Sequence, residues 1–177
     1  MMRVGAVATF VVLLSSGAGV AQWTADGKPV PDNAWRQSKE GFGILLGLTD
    51  KPVDFEEEWA KSTRVVPISM PSSIMRNSPA LFFLIFRGCP ENAEGNCDVV
   101  EDLRLLKPDG SVYGEMKDVS FWQGQPGPSG KTIARATHAF GFSIDDDDPA
   151  GEYTMKVNVR DRVRNSSFTL ERRFSVK

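Results

Sequence analysis

The stretch SIDDDDPAGEYTM, Ser143 to Met155, places four carboxylates in a row ahead of a proline and a glycine. Three chemistries suit such a run: calcium binding, paired acid and base, or a turn. An EF-hand loop needs oxygens at positions 1, 3, 5 and 12 around a glycine at 6. With Gly151 at position 6, Ala150 falls at 5 and Val157 at 12, so that pattern fails. Glycosidase carboxylates face each other across a groove and come from separate elements, whereas Asp145, Asp146, Asp147 and Asp148 are contiguous. Asp, Pro and Gly are each turn formers. The expectation is therefore architecture: Asp148, Pro149 and Gly151 form a corner between two strands. Tyr153 opens the second strand and returns its hydroxyl to backbone just upstream, as in the tyrosine corner of Greek-key sandwiches.

Other reactive types are sparse. His138 is the single histidine, so any Ser-His or Cys-His pair would have to use it. Its parity with Phe140 and Phe142 points it toward the core or its rim. No G-x-S-x-G, P-loop or H-E-x-x-H motif is present. Met70, Met75, Met116 and Met155 could serve copper as thioethers, but methionines scattered through strands read as core filler. No catalytic residue, metal site or cofactor is assigned. Cys89 and Cys97 are the two cysteines. They bracket a turn-rich loop, lack C-x-x-C redox spacing, and have too few companions for zinc. A structural disulfide is expected, worth about 2.5 kcal/mol through loop-closure entropy.

Two surfaces are candidates for a partner. Arg160, Arg162 and Arg164 recur at every second position, and Arg172 and Arg173 return on the next strand. In strands they would share a face, either as a recognition patch for an anionic surface or as charges that deter edge aggregation. Trp122 beside QGQPGPSGK is the other: an exposed ring able to stack on sugars or peptides, or a buried anchor ending a strand.

The elements around these residues read as strands. GFGILLGLTD, TRVVPISM and ALFFLIFRGC are apolar runs, the last a central strand buried on both faces. DVVEDLRLLKPDGSVYGEM forms a hairpin about Pro108-Asp109-Gly110, with Val99, Leu103 and Leu105 on one parity and Asp102 and Arg104 on the other. VSFW is a short strand, and the segments from Thr132 and Glu152 alternate. KPVDFEEEWAKS predicts one helix of about two turns, capped by Asp54, with Phe55 and Trp59 on one face. The fold class is all-β, an immunoglobulin-like Greek-key β-sandwich of seven to nine strands with one short helix.

The first residues, MMRVGAVATFVVLLSSGAGVAQW, have a basic start, a short apolar middle and small residues at Gly19 and Ala21. This predicts a signal peptide over 1–21 with cleavage after Ala21. The apolar run is shorter than the roughly 20 residues of a membrane span. Residues 22–40 are polar, with Gly and Pro, and read as an extended arm; 41–177 form one domain. The formal charge of the whole chain is −2, which offers no general attraction to nucleic acid.

DDPAGEYTMKVNVRD followed by FTLERRFSV resembles the last hairpin of bacterial immunoglobulin-like and macroglobulin-like domains. It is also similar to that of periplasmic copper-carrier sandwiches, whose copper-binding histidines have no counterpart here beyond His138. GNCDV, KPDGSVY, FWQGQPGP and DPAGEYTM resemble a family of uncharacterised exported proteobacterial proteins. The resemblance implies a fold and a periplasmic or secreted location, and no activity. The expected role is a non-catalytic exported binding or accessory protein with an envelope or secreted protein as partner. The alternatives are a small-ligand or metal-binding periplasmic carrier and an enzyme of unrecognised type. Intact mass of the exported protein is expected to match a chain starting at Gln22; retention of Met1 would refute the cleavage.

Overall fold

The computed structural model describes residues 23–25, 28–61, 70–128 and 132–177. The predicted signal segment and the strand expected in TRVVPISM, apart from Met70, lie outside them. The elements are β1 (Thr24–Ala25), β2 (Lys28–Pro29), β3 (Arg36–Lys39), β4 (Phe42–Thr49), α1 (Pro52–Lys61), β5 (Ser73–Ile74), β6 (Ala80–Arg87), β7 (Cys97–Leu106), β8 (Val112–Gln125), β9 (Ala134–Phe142), β10 (Glu152–Asp161) and β11 (Ser166–Val176). Two sheets form the body, one ordered β5-β11-β10-β7-β8 and the other β3-β4-β6-β9; β1 and β2 pair separately. All pairings are antiparallel except β5 on β11.

The topology is an immunoglobulin-like sandwich. The chain forms the β7–β8 hairpin, crosses to β9 in the opposite sheet, and returns to the β10–β11 hairpin beside β7. Inward positions at period two make the core: Phe82, Leu84 and Phe86 from β6; Val99, Leu103 and Leu105 from β7; Met155, Val157 and Val159 from β10; Leu170 and Phe174 from β11. Each is at most 3% exposed.

Strand β6 is covered on its other face too. Phe83 and Ile85 point outward and are buried with Phe55 of α1, whose ring stacks on Phe83 at 4.1 Å. Helix α1 starts with Pro52, a residue pre-set for the first helical position. It is therefore longer than the predicted two turns, and Asp54 lies inside the first turn rather than at the cap. Phe55 and Trp59 share the packed face as expected. Gly47 makes room for this layer: a Cβ there would lie 2.2 Å from the Phe83 ring.

Three further expectations are corrected. The arm ascribed to 22–40 contributes β3, which pairs with β4, so the sheet begins at Arg36 rather than at 41. VSFW is not a separate strand but the end of β8, which runs unbroken because local irregularities absorb its changes of register against β7. His138 faces solvent. The pairing of β9 with β6 slips between Phe83 and Ile85, where Ala136, Thr137 and His138 stand opposite Leu84 alone, and within this bulge the ring turns out of the core.

The two long seams of the sandwich differ. At one, β3 and β11 are tied: Glu171 N donates to Ala34 O at 2.7 Å and Gln37 Nε2 to Thr169 O at 2.7 Å. At the other, the β8 edge is blunted by β9 side chains. Thr137 Oγ1 donates to Phe121 O at 3.0 Å, and His138 Nδ1 donates to Ser120 O at 2.8 Å. Gly47→Ala is expected to cost about 1–3 kcal/mol by overpacking against Phe83. Urea unfolding checks this, and an unchanged midpoint would show that the Phe83 ring moves freely.

Candidate functional site

The aspartate run is built into the junction of β9 and β10. Tyr153 donates its hydroxyl to Pro149 O at 2.8 Å. Asp148 Oδ2 accepts from Asp145 N at 3.0 Å and from the Tyr113 hydroxyl at 2.9 Å, while Lys107 Nζ lies 3.7 Å from Oδ1. The Asp145 amide, with Tyr113 and Lys107, holds the Asp148 carboxyl below its ordinary range. Burial, then the Asp148 carboxylate, pushes the Tyr113 phenol up to about 12. Arg76 donates to the carbonyls of Asp145 and Asp148. Gly151 has φ +136°, and a Cβ there would meet Pro108 at 2.9 Å. The corner thus packs against the β7–β8 turn, where Asp109 accepts from the amide and hydroxyl of Ser111. These bonds occupy the one carboxylate that turns inward, so the geometry is that of a clasp between strands.

The arginines do not form a patch of one sign. Arg160 makes a two-pronged contact with Asp102 at 2.9 and 3.1 Å and also reaches Asp118 at 2.9 Å. Arg162 binds Asp118 at 2.7 Å, and Arg173 binds Glu171 at 2.8 Å and Glu152 at 3.4 Å. Arg164 donates to Glu40 O at 2.9 Å. Strand β10 ends at Asp161, so Arg162 and Arg164 belong to the turn and escape the period-two face. Arg172 is apart from these, at the β3 seam over Trp35. Sequence periodicity cannot supply the acids, because Asp102, Asp118 and Glu40 come from other elements.

Trp122 is half-buried: it meets the Phe86 ring at 5.1 Å and donates to Pro126 O at 3.0 Å. Its ring anchors the end of β8. The Cys89–Cys97 disulfide is formed, with Cα atoms 6.1 Å apart, and a Cβ on Gly127 would lie 2.9 Å from Cys89 Sγ. The four methionines do not converge. Met155 is in the core, Met116 packs against it from the rim, Met75 is exposed, and Met70 Sδ faces Arg172. Among the described residues no cluster of three or more His, Cys, Asp or Glu could hold a metal ion, and no helix is long and apolar enough to cross a membrane.

Glu101 escaped the sequence reading. It is 0% exposed, and neither carboxyl oxygen has a hydrogen-bond partner. It occupies the inward parity of β7 between Val99 and Leu103, opposite Val159 of β10 and Val119 of β8. Burial, with Asp102 adjacent, raises its carboxyl to about 8. The signal was present: Glu101 interrupts an otherwise apolar inward parity. Asp161, also buried, is fully engaged; it accepts from Val163 N at 3.0 Å, Arg164 N at 3.3 Å and Ser166 Oγ at 3.3 Å.

No family model matches the chain, and no curated protein matches it in sequence. Solved structures match in shape only. A family 123 glycoside hydrolase from Clostridium perfringens is 9% identical with a TM-score of 0.43, covering 76% of this chain and 27% of its own. A Niemann-Pick type C2 protein from Japanese carpenter ant is 12% identical with a TM-score of 0.40, covering 76% and 89%. An immunoglobulin-like protein from Pseudomonas aeruginosa is 16% identical with a TM-score of 0.35, covering 76% and 91%. This chain spans little more than a quarter of the hydrolase. Likeness at these levels transfers no activity.

Two outcomes are expected. Tyr153→Phe removes the hydroxyl that holds Pro149 and should cost about 1 kcal/mol in urea unfolding; no loss would show that water replaces the bond. Glu101 sets a pH dependence. Its ordinary value is 4.5 and its folded value about 8. Below 4.5 both states hold the proton. Between these values only the folded state holds it, so stability falls as pH rises, by about 1.4 kcal/mol per unit. Above about 8 this fall ceases. Glu101→Gln should flatten the stability profile between pH 5 and 8; an equally steep profile would assign the slope to another group.

Proposed function

We propose that this chain is a non-catalytic binding or accessory module of the cell envelope or its exterior, acting on another protein. The observation that carries this reading is the outer face of the five-stranded sheet. There Arg160, Asp102, Asp118 and Arg162 form a continuous ion-paired network. Beside it Arg104, Glu115 and Lys117 form a second. An open recess of about 240 Å³ lies over β7 and β10; Asp102, Arg104, Glu115, Lys117, Lys156 and Asn158 line it together with Leu103, Val157 and Thr169. Fixed charges of both signs on a broad sheet suit recognition of a complementary polar surface, giving register and on-rate more than raw affinity. The disulfide fits an oxidising compartment.

The test is affinity capture from the native envelope with wild-type protein and with a variant carrying Arg160→Gln, Arg162→Gln and Arg164→Gln together. The variant is expected to keep its melting temperature within a few degrees, because exposed ion pairs contribute about 0–1 kcal/mol each. It is expected to lose a partner that wild type holds in a salt-sensitive manner. Equal capture by both proteins would remove this face from the reading.

A further inference from the structure

The outer face matches its arginines with acids, but the seam between β3 and β11 does not. The guanidinium carbons of Arg36 and Arg172 lie 5.0 and 5.4 Å from the centre of one ring, that of Trp35. Among the described residues neither has a carboxylate in ion-pair range. Arg36 donates once, from Nη2 to Pro31 O at 2.7 Å. Arg172 reaches Met70 Sδ at 3.4 Å, an ordinary distance for a sulfur acceptor, and the carbonyls of Met70 and Pro71 at 3.3 and 3.5 Å, which are long. Both Nε groups are buried without an acceptor. Residues 62–69, which precede Met70, include Arg64 and no acid.

Position 172 makes this costly. It alternates with Leu170 and Phe174, both buried, on β11. An apolar side chain would fill the place with no desolvation penalty. A guanidinium keeps its charge and must be solvated or paired. Burial pulls the Arg172 guanidinium below its ordinary range. Among the described residues, the seam thus holds two positive charges with no carboxylate in ion-pair range.

We propose that the Arg36–Trp35–Arg172 seam is an oxyanion site, occupied by a carboxylate of an acidic segment on the protein partner. This deepens the binding reading above and rests on it. Each guanidinium, held near the Trp35 indole, is a charge-assisted donor suited to a carboxylate oxygen. The ring fixes their position, which lowers the entropy lost on binding.

The experiment follows the arginine Nε–H resonances of the ¹⁵N-labelled full chain at constant ionic strength. The probes are a hexaglutamate peptide and inorganic phosphate. Saturable shifts at Arg36 and Arg172 with hexaglutamate are expected. They should disappear in Arg36→Gln and in Arg172→Met; because the latter also removes the contacts to Met70 and Pro71, its amide spectrum is checked for an intact fold. A response to phosphate but not to the peptide would overturn the acidic segment as occupant. Absence of a saturable response to either probe, or an equal response in both variants, would overturn the site. Capture through the outer face is read separately, so loss of this site leaves that reading standing.

Discussion

Phe42 is where the two sheets are joined. Its ring meets Phe168 at 5.2 Å and both Phe86 and Phe121 at 6.2 Å, each edge-on. Those partners belong to β11, β6 and β8, so one side chain of β4 touches both layers. Edge-on aromatic pairs add about 0.5–1.5 kcal/mol each beyond their buried area. The contact also sets parity. Once the inward face of each strand is chosen, every second residue must follow it. Glu101 and Arg172 are carried inward by this rule. A strand cannot turn one residue away without a bulge, and β9 shows what a bulge does: it sends His138 to the surface and lets Ala136 remain inside.

The corner completes that constraint. Parity fixes which way β10 faces, but its register depends on how the chain arrives from β9. Asp148, Pro149, Gly151 and Tyr153 set the arrival, with Tyr113, Lys107 and Arg76 from three other segments closing around them. A glycine at φ +136° against Pro108 ties this corner to the β7–β8 turn, so two hairpins are positioned by one contact. The acidic run costs little in such a place, because its inward carboxylate meets an amide, a hydroxyl and an ammonium.

Local pattern made much of this legible. The strand class, the buried β6, the hairpin at Pro108, the aromatic face of α1 and the Cys89–Cys97 pair each depend on residues close in sequence. What failed depends on residues far apart. Arg160 looked like one of a row of unopposed cations, yet Asp102 stands 58 residues away and Asp118 42 away. β3 has only four residues and no apolar period, so it is a strand because β4 offers an edge. Glu101 was readable from its own strand, as a charge on the parity of Val99 and Leu103. It was passed over because a carboxylate is assumed to face water.

The two inward ionisable groups differ in what they can do about their charge. Glu101 can keep its proton, at a pKa near 8, and become a neutral group whose remaining cost is two unmade hydrogen bonds. That solution is internal and needs no partner. Arg172 has no such escape, since a guanidinium stays protonated at any physiological pH. Its contacts to Met70 and Pro71 relieve part of the charge and leave Nε unmet. A buried acid can thus be a tolerated irregularity of the core. Two half-buried guanidiniums with no acid in range among the described residues keep their charge, and water or a bound anion must meet it.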